Sequence, residues 1–277
     1  MKLYHQTCTE CSQLITQRYS TSFSMGIRLF DKKFRGPIYS IYGFVRFADE
    51  IVDTFHDYPK AELLDNFKAD TYKAIEQGIS LNPVLHSFQL VVNKYGIERE
   101  LIDAFLKSME MDLYHNQYED SLYKEYIYGS AEVVGLMCMR VFCEGDEELF
   151  ERLRAPACSL GAAFQKVNFL RDIRSDYDDR GRVYFPGVDF SNFSNNAKLE
   201  IEKDIQHDFD MAYKGIIKLP KSAKYGVYLA YIYYLNLFKK ICRTNANRIT
   251  QERIRVHDGK KIMLLCSSAV KSRLNIM

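Results

Sequence analysis

Tryptophan is absent from the 277 residues, and proline is scarce at 6. With so few prolines, long helices face little obligatory interruption. A charge excess of one sign is missing as well: 38 Lys and Arg face 36 Asp and Glu, a formal net charge of +2. Nucleic-acid binding therefore has no support, because no global basic footprint exists. No long hydrophobic run stands out. The most apolar stretch, Val227–Phe238, is interrupted by Asn236 and falls short of the ~20 residues of a membrane span. The opening MKLYHQTCTECSQ has no apolar signal core. Cysteines number 7, at positions 8, 11, 138, 143, 158, 242 and 266, an odd count with no disulfide framework. These features predict a cytoplasmic protein, peripheral at the inner membrane face at most. Cys8-x-x-Cys11 lies near His5 but lacks the second pair that a four-ligand zinc site needs, so it reads as a helix-face coincidence.

Basic residues are concentrated late. Lys239 to Met277 holds ten Lys or Arg against Glu252 and Asp258. A solvated face on the last packed helix is the favoured reading, with contact to an anionic membrane as the alternative. Aromatics are abundant, with Tyr at 20 and Phe at 18. Composition alone favours a Tyr-rich core over an aromatic-lined pocket.

Helical periodicity dominates, and strand alternation is nearly absent. The pattern predicts helices near 5–18, 37–55, 60–77, 83–94, 98–115, 119–143, 147–154, 157–177, 194–215, 223–243 and 250–274. A Ser/Thr turn falls at Ser20–Ser22, Pro37 and Pro83 suit helix starts, and the polar run DYDDRGRVYFPG after Asp176 reads as loop. No fixed-period repeat or linker divides the chain, so one all-α domain over 1–277 is expected.

Two of these helices carry the same device. In 37–55, Tyr42, Arg46, Asp49 and Asp53 step by 4, 3 and 4 and share one stripe, set among Ile38, Ile41, Phe44, Val45, Ile51 and Val52. In 157–177, Gln165, Asn168, Asp172 and Asp176 step by 3, 4 and 4 among Phe164, Val167, Phe169, Leu170 and Ile173. Aspartates four apart are separated by ~6 Å along the axis, so both can reach one cluster of hard cations. Mg²⁺ prefers oxygen ligands and is commonly held by a few carboxylates together with substrate phosphates. Carboxylates left unpaired in apolar surroundings are costly. One such pair is weak evidence, since a solvated or Arg-paired face does the same. Two pairs, each inside an apolar helix, favour Mg²⁺ bound against diphosphate groups.

At these residues the chain resembles the squalene/phytoene synthase family of head-to-head prenyl transferases. The matching pieces are YSTSFSMG (19–26), IYGFVRFADEIVD (41–53), YIYGSAEVVGLM (126–137) and QKVNFLRDIRSDYDDRGRVYFP (165–186). The third piece and FPGVDF (185–190) look most like bacterial phytoene synthases. The resemblance implies an all-α isoprenoid synthase bundle around a central cavity. It makes Asp49, Asp53, Asp172 and Asp176 the catalytic and metal-binding aspartates, with Asn168 as a further metal ligand and Gln165 assisting. Arg46, Arg171 and Arg182 become candidates for diphosphate contacts, and Ser20, Ser22 and Phe23 join the substrate site. Tyr42, Tyr128, Tyr184 and Tyr231 are expected to line the cavity, Tyr128 among the catalytic residues. Tyr19 stands where many members carry His. Glu132 interrupts a usually apolar stretch, as a surface charge or as a polar group near the cavity.

The implied reaction joins two geranylgeranyl diphosphates into phytoene with Mg²⁺, Mn²⁺ as a substitute, and no NADPH. Its rivals are a squalene or dehydrosqualene synthase using farnesyl diphosphate, a non-catalytic assembly factor, and a terpene cyclase. The intact aspartates weigh against the assembly factor, and the composition of the second motif weighs against the cyclase.

Overall fold

A chain with this period and so few breaks should be built from helices, and the computed structural model, which describes residues 1–188, 193–251, 253 and 254, is built that way. Among the described residues there is no strand, only one isolated parallel bridge between Gln117 and Val183. In chain order the helices are α1 (Lys2–Tyr19), α2 (Thr21–Ile27), α3 (Lys32–Thr54), α4 (Lys60–Gln77), α5 (Pro83–Tyr95) and α6 (Arg99–Tyr114). α7 (Asp120–Ile127) runs through a π-helical turn at Tyr128–Glu132 into α8 (Val133–Cys143). α9 (Glu147–Arg180), α10 (Asn195–Ile216), α11 (Lys221–Cys242) and the short α12 (Ala246–Ile249) follow.

Local chemistry moved several expected boundaries. The Ser20–Ser22 turn shrinks to one residue: Ser20 ends α1, and its side chain accepts a hydrogen bond from Phe23 N–H, capping α2. α3 starts at Lys32 rather than Pro37, because Asp31 caps it by accepting from Lys33 N–H at 3.1 Å. Pro37 lies inside the helix. The expected break between 154 and 157 is absent. α9 runs 34 residues straight through Pro156, roughly 50 Å of helix. Pro156 faces Gly215 of α10, where an added Cβ would come within 2.3 Å of the proline Cβ, so the ring has room that any other residue at 215 would remove. The polar run after Asp176 is also helical as far as Arg180. Gly181 then takes φ 65, and the chain turns back so that Arg182 N–H donates to Asp176 O at 2.8 Å. The expected helix 250–274 lies outside the described residues beyond its first few.

Two apolar clusters form the interior. One gathers Phe34, Phe44, Phe67, Phe88 and Phe105 from α3 to α6 with the apolar face of α8. Phe44 stacks parallel on Phe88 at 3.9 Å between centroids, and each such buried ring contributes about 2–3 kcal/mol. The other gathers Leu170, Ile205, Phe209, Leu237 and Phe238 from α9, α10 and α11. A large cavity is lined by residues of both clusters, including Ile38, Phe142 and Leu153 from the first and Ile216 and Leu237 from the second.

The most apolar long segment is not Val227–Phe238 but Asp120–Cys143, with mean hydropathy 1.2 over its best window. Among the described residues it alone has the length and composition to cross a membrane, yet 61% of that window is buried inside the fold. Its apolarity is accounted for by packing.

Candidate active site

The apolar faces of α3 and α9 are taken up by the core, which leaves their polar stripes to face something else. The inner parts of both stripes reach one cavity of about 970 Å³. Tyr42 and Arg46 enter it from α3, Gln165, Asn168 and Arg171 from α9, and Ser20, Ser22 and Phe23 from α2. The fourth wall is α11, through Val227, Ala230, Tyr233 and Tyr234. Phe23 stacks on Tyr42 at 4.9 Å and Phe164 on Tyr234 at 4.0 Å. Tyr234 O–H donates to Asn168 Oδ1 at 3.3 Å. Burial pushes the Tyr42 phenol up to about 12, so it stays protonated and can donate.

The aspartates continue both stripes toward the C-terminal ends of their helices. Arg182 ties these ends together: its Nη1 donates to Asp53 Oδ1 at 3.1 Å, while its backbone N–H holds Asp176 O. The same guanidinium donates through Nη2 to Asp112 O at 2.8 Å and stands 3.4 Å from Asp112 Oδ1. Arg182 thus links the C-terminal ends of α3 and α9, but none of the four aspartates is among the residues lining the large cavity; Asp176 lines a separate small pocket with Phe169, Arg182 and Tyr184. This polar end is held by a buried network centred on Asp112, which accepts from Tyr126 O–H at 2.8 Å and Tyr118 O–H at 3.3 Å. Burial raises the Asp112 carboxyl to about 6 against the pull of Arg182.

Asp49 is the most perturbed acid. Burial first, and the Asp53 carboxylate second, push its carboxyl up to about 8, with Arg46 opposing. Arg46 lies over the Tyr19 ring at 4.4 Å, hydrogen-bonds Glu50, and keeps Nη1 3.8 Å from Asp49. Its Nε is buried and donates to nothing among the described residues. A buried donor without an acceptor is costly, and the Arg46 side chain is among those that line the cavity. Asp172 is gripped by Arg171 and by Arg253, whose Nε stands 2.6 Å from Oδ1.

No group of three or more His, Cys, Asp or Glu among the described residues could by itself hold a metal ion. Mg²⁺ does not need one, since it is usually bound by one or two carboxylates plus phosphate oxygens and water. The residues fit a cation that arrives with its own anion: the raised Asp49 carboxyl wants positive charge nearby, and the orphaned Arg46 Nε wants an acceptor.

Not every expected residue comes to the cavity. Tyr231 packs away from it, edge-on to Phe209 at 5.6 Å and beside Tyr213 at 5.8 Å, because the cavity face of α11 is set by Val227, Ala230 and Tyr234. Tyr184 is buried against Phe169 at 4.0 Å, with its hydroxyl 3.3 Å from Arg182 Nη1; it supports the polar end and does not line the large cavity. Tyr128 sits in the π-helical turn, partly buried against the first cluster, and is not among the lining residues, unlike its neighbours Ser130 and Ala131. Glu132 is neither a surface charge nor a cavity group. It meets the Cys158 thiol, and burial raises its carboxyl. The residues that sequence reasoning missed are Asp112, Tyr118, Tyr126, Tyr233, Tyr234 and Arg253.

Comparisons with known proteins bear on the family and the fold. A family model described as squalene/phytoene synthase matches residues 16–260. The phytoene synthase of Arthrospira platensis is 27% identical over 292 residues, spanning 96% of this chain and 93% of the relative. That of Pseudescherichia vulneris is 33% identical over 169 residues, 57% of this chain and 53% of the relative. Among solved structures, a dehydrosqualene synthase in complex with a ligand superposes with a TM-score of 0.80 at 20% identity, covering 97% of this chain and 98% of the other. The squalene synthase HpnC from Alicyclobacillus acidocaldarius superposes with a TM-score of 0.76 at 19% identity, covering 87% and 95%. Identities that low establish a shared all-helical isoprenoid synthase fold and nothing finer. The family match, in contrast, extends over most of the chain and includes both aspartate stripes, so the chain belongs to the squalene/phytoene synthase family.

Proposed function

We propose that this protein condenses two geranylgeranyl diphosphates head to head into phytoene, through a cyclopropyl diphosphate intermediate. The observation that carries the reading is that Tyr42 and Arg46 of α3 and Gln165, Asn168 and Arg171 of α9 line one 970 Å³ cavity with apolar and aromatic walls, the aspartates of both helices lying next along the same stripes. A diphosphate suits the polar end and prenyl chains suit the walls. The preference for the twenty-carbon substrate over farnesyl diphosphate rests on the phytoene synthases among the sequence relatives.

In this reading Arg46 and Arg171 present two guanidinium groups at the cavity wall to the diphosphate oxygens. Ser20 and Ser22 add hydroxyls beside them. Asp49, Asp53, Asp172 and Asp176, with Asn168, would hold Mg²⁺ (Mn²⁺ substituting), whose charge makes the diphosphate a better leaving group. Tyr234 orients the Asn168 amide through its hydrogen bond. Arg182 keeps Asp53 in place and is itself held by Asp112. The walls exclude water from an allylic cation, and the faces of Phe23, Phe164, Tyr42, Tyr233 and Tyr234 stabilise positive charge within reach. The product is a long apolar hydrocarbon that partitions into a bilayer, which would give peripheral contact at a membrane face a purpose.

The test is release of inorganic pyrophosphate from geranylgeranyl diphosphate with Mg²⁺, by the wild type, Arg46→Gln and Asp49→Asn. Removing a preorganised charge from the leaving group should cut turnover by roughly 10²–10³. Near-wild-type release by either variant would refute the diphosphate role of the polar end.

A further inference from the structure

Asp172 has a counter-ion that does not come from its own helix. Arg253, from the segment after α12, reaches the carboxylate with Nε at 2.6 Å from Oδ1 and Nη2 at 3.4 Å from Oδ2. Arg171 holds the same carboxylate through Nε, at 3.1 and 3.0 Å from its two oxygens, and through Nη2. Two guanidinium groups on one carboxylate leave the spot net positive. That opposes a bare divalent cation, whereas a cation arriving with a diphosphate brings the negative charge that the spot lacks.

The two arginines differ in their freedom to leave. Arg171 is adjacent to Asp172 on α9, its side chain is 19% exposed, and it lies near Tyr233 and Tyr234. The Arg253 side chain is 49% exposed and belongs to no helix. Its backbone is nevertheless anchored on both sides: Gln251 O accepts from Arg174 Nη1, and Ile254 is buried in the second apolar cluster. Arg253 also lines the large cavity. The geometry is that of a movable cation on a fixed base, aimed at the polar end.

We infer that Arg253 is the built-in counter-ion of Asp172 in the substrate-free protein, and that it exchanges this carboxylate for a diphosphate oxygen when a divalent cation and its diphosphate enter. The inference rests on the diphosphate reading of the site given above. Arg253 thereby couples the two ligands: it competes with the cation for Asp172 and, once displaced, becomes a donor to the anion.

The coupling has a signature with opposite signs for the two ligands. Mg²⁺ alone, and then sodium pyrophosphate in saturating Mg²⁺, would be titrated calorimetrically into the wild type, Arg253→Gln and Arg253→Lys, with folding checked by circular dichroism. Arg253→Gln should bind Mg²⁺ alone more tightly and pyrophosphate more weakly, so that the mutual enhancement of the two ligands falls on the order of tenfold. Arg253→Lys keeps the charge but loses the two-pronged contact and should fall between. If Arg253→Gln weakens both ligands together, or changes neither, Arg253 is structural and the inference is overturned. If the wild type itself binds no pyrophosphate in Mg²⁺, the diphosphate reading fails along with it, a result distinct from wild-type binding that Arg253→Gln leaves untouched.

Discussion

Asp49→Asn should stabilise the protein while cutting its turnover steeply, and the stabilisation should depend on pH in a fixed direction. The wild-type carboxyl is raised from 3.8 to about 8, chiefly by burial and then by Asp53. The folded state therefore holds a proton that the unfolded chain releases above pH ~4. Stability must fall as pH rises from ~4 to ~8 and level off above that, once the carboxyl ionises in the folded state as well. At ~1.4 kcal/mol per pH unit the ceiling is ~6 kcal/mol. However, 33% of the Asp49 side chain meets solvent, and screening there reduces the effect to about 1–2 kcal/mol. Asparagine keeps the shape and has no ionisation to suppress. In chelator-treated protein followed by circular dichroism, the two melting temperatures should nearly coincide at pH 4.5. By pH 8.5 the variant should melt about 2–5 °C higher, given the usual shift per kcal/mol in a chain of this size. A variant that melts below the wild type at pH 8.5, or a difference that does not grow with pH, would refute the argument that the acid pair is strained without a cation.

Other expectations follow from packing and pairing. Gly226→Ala would place a Cβ 2.3 Å from the Phe30 ring and 2.9 Å from Gly26 O, and should cost about 2–3 kcal/mol; an unchanged urea midpoint would mean that α2 and α11 do not approach so closely. Asp112→Ala strips Arg182 of a buried counter-ion and should cost about 3–5 kcal/mol. Asp112→Asn keeps an acceptor for Tyr118 and Tyr126 but also removes the charge, so it should cost nearly as much, and a near-neutral Asp112→Asn would contradict the charge argument. His86 is fully buried, accepts from Ser80 N–H at 3.2 Å and is held below the usual imidazole range by burial and by His5. Its contribution is present above pH ~6.5 and lost as pH falls. Any stability advantage of the wild type over His86→Asn should therefore shrink between pH 7 and pH 5, and a growing advantage would count against a neutral buried ring.

The two stripes were legible in the sequence because Tyr42–Asp53 and Gln165–Asp176 are polar lines on helices that are otherwise greasy, and their occurrence on two helices favours an internal polar surface over a solvated face. Asp112 was not legible. It sits in an ordinary amphipathic helix, and its burial depends on Tyr118, Tyr126 and Arg182, brought together only by the fold. The continuity of α9 through Pro156 depends on Gly215, a partner distant in sequence. Tyr231 is singled out only by the family resemblance; Tyr-rich α11 offers aromatic residues on several faces, so periodicity gives no phase, and the neighbours of α11 set it. The run DYDDR looked like loop by charge, whereas the helix ends at Gly181, where a left-handed residue is required.

The central claim is that the shared polar end and aromatic cavity serve head-to-head joining of two twenty-carbon diphosphates. Incubation with geranylgeranyl diphosphate and Mg²⁺ alone, followed by mass spectrometry of the hydrocarbon, tests it most directly. The expected product is a forty-carbon hydrocarbon with a central conjugated triene, formed without NADPH. A product that requires NADPH, or a thirty-carbon product formed preferentially when farnesyl diphosphate is offered alongside, would contradict the account and place the enzyme on the squalene side of its family.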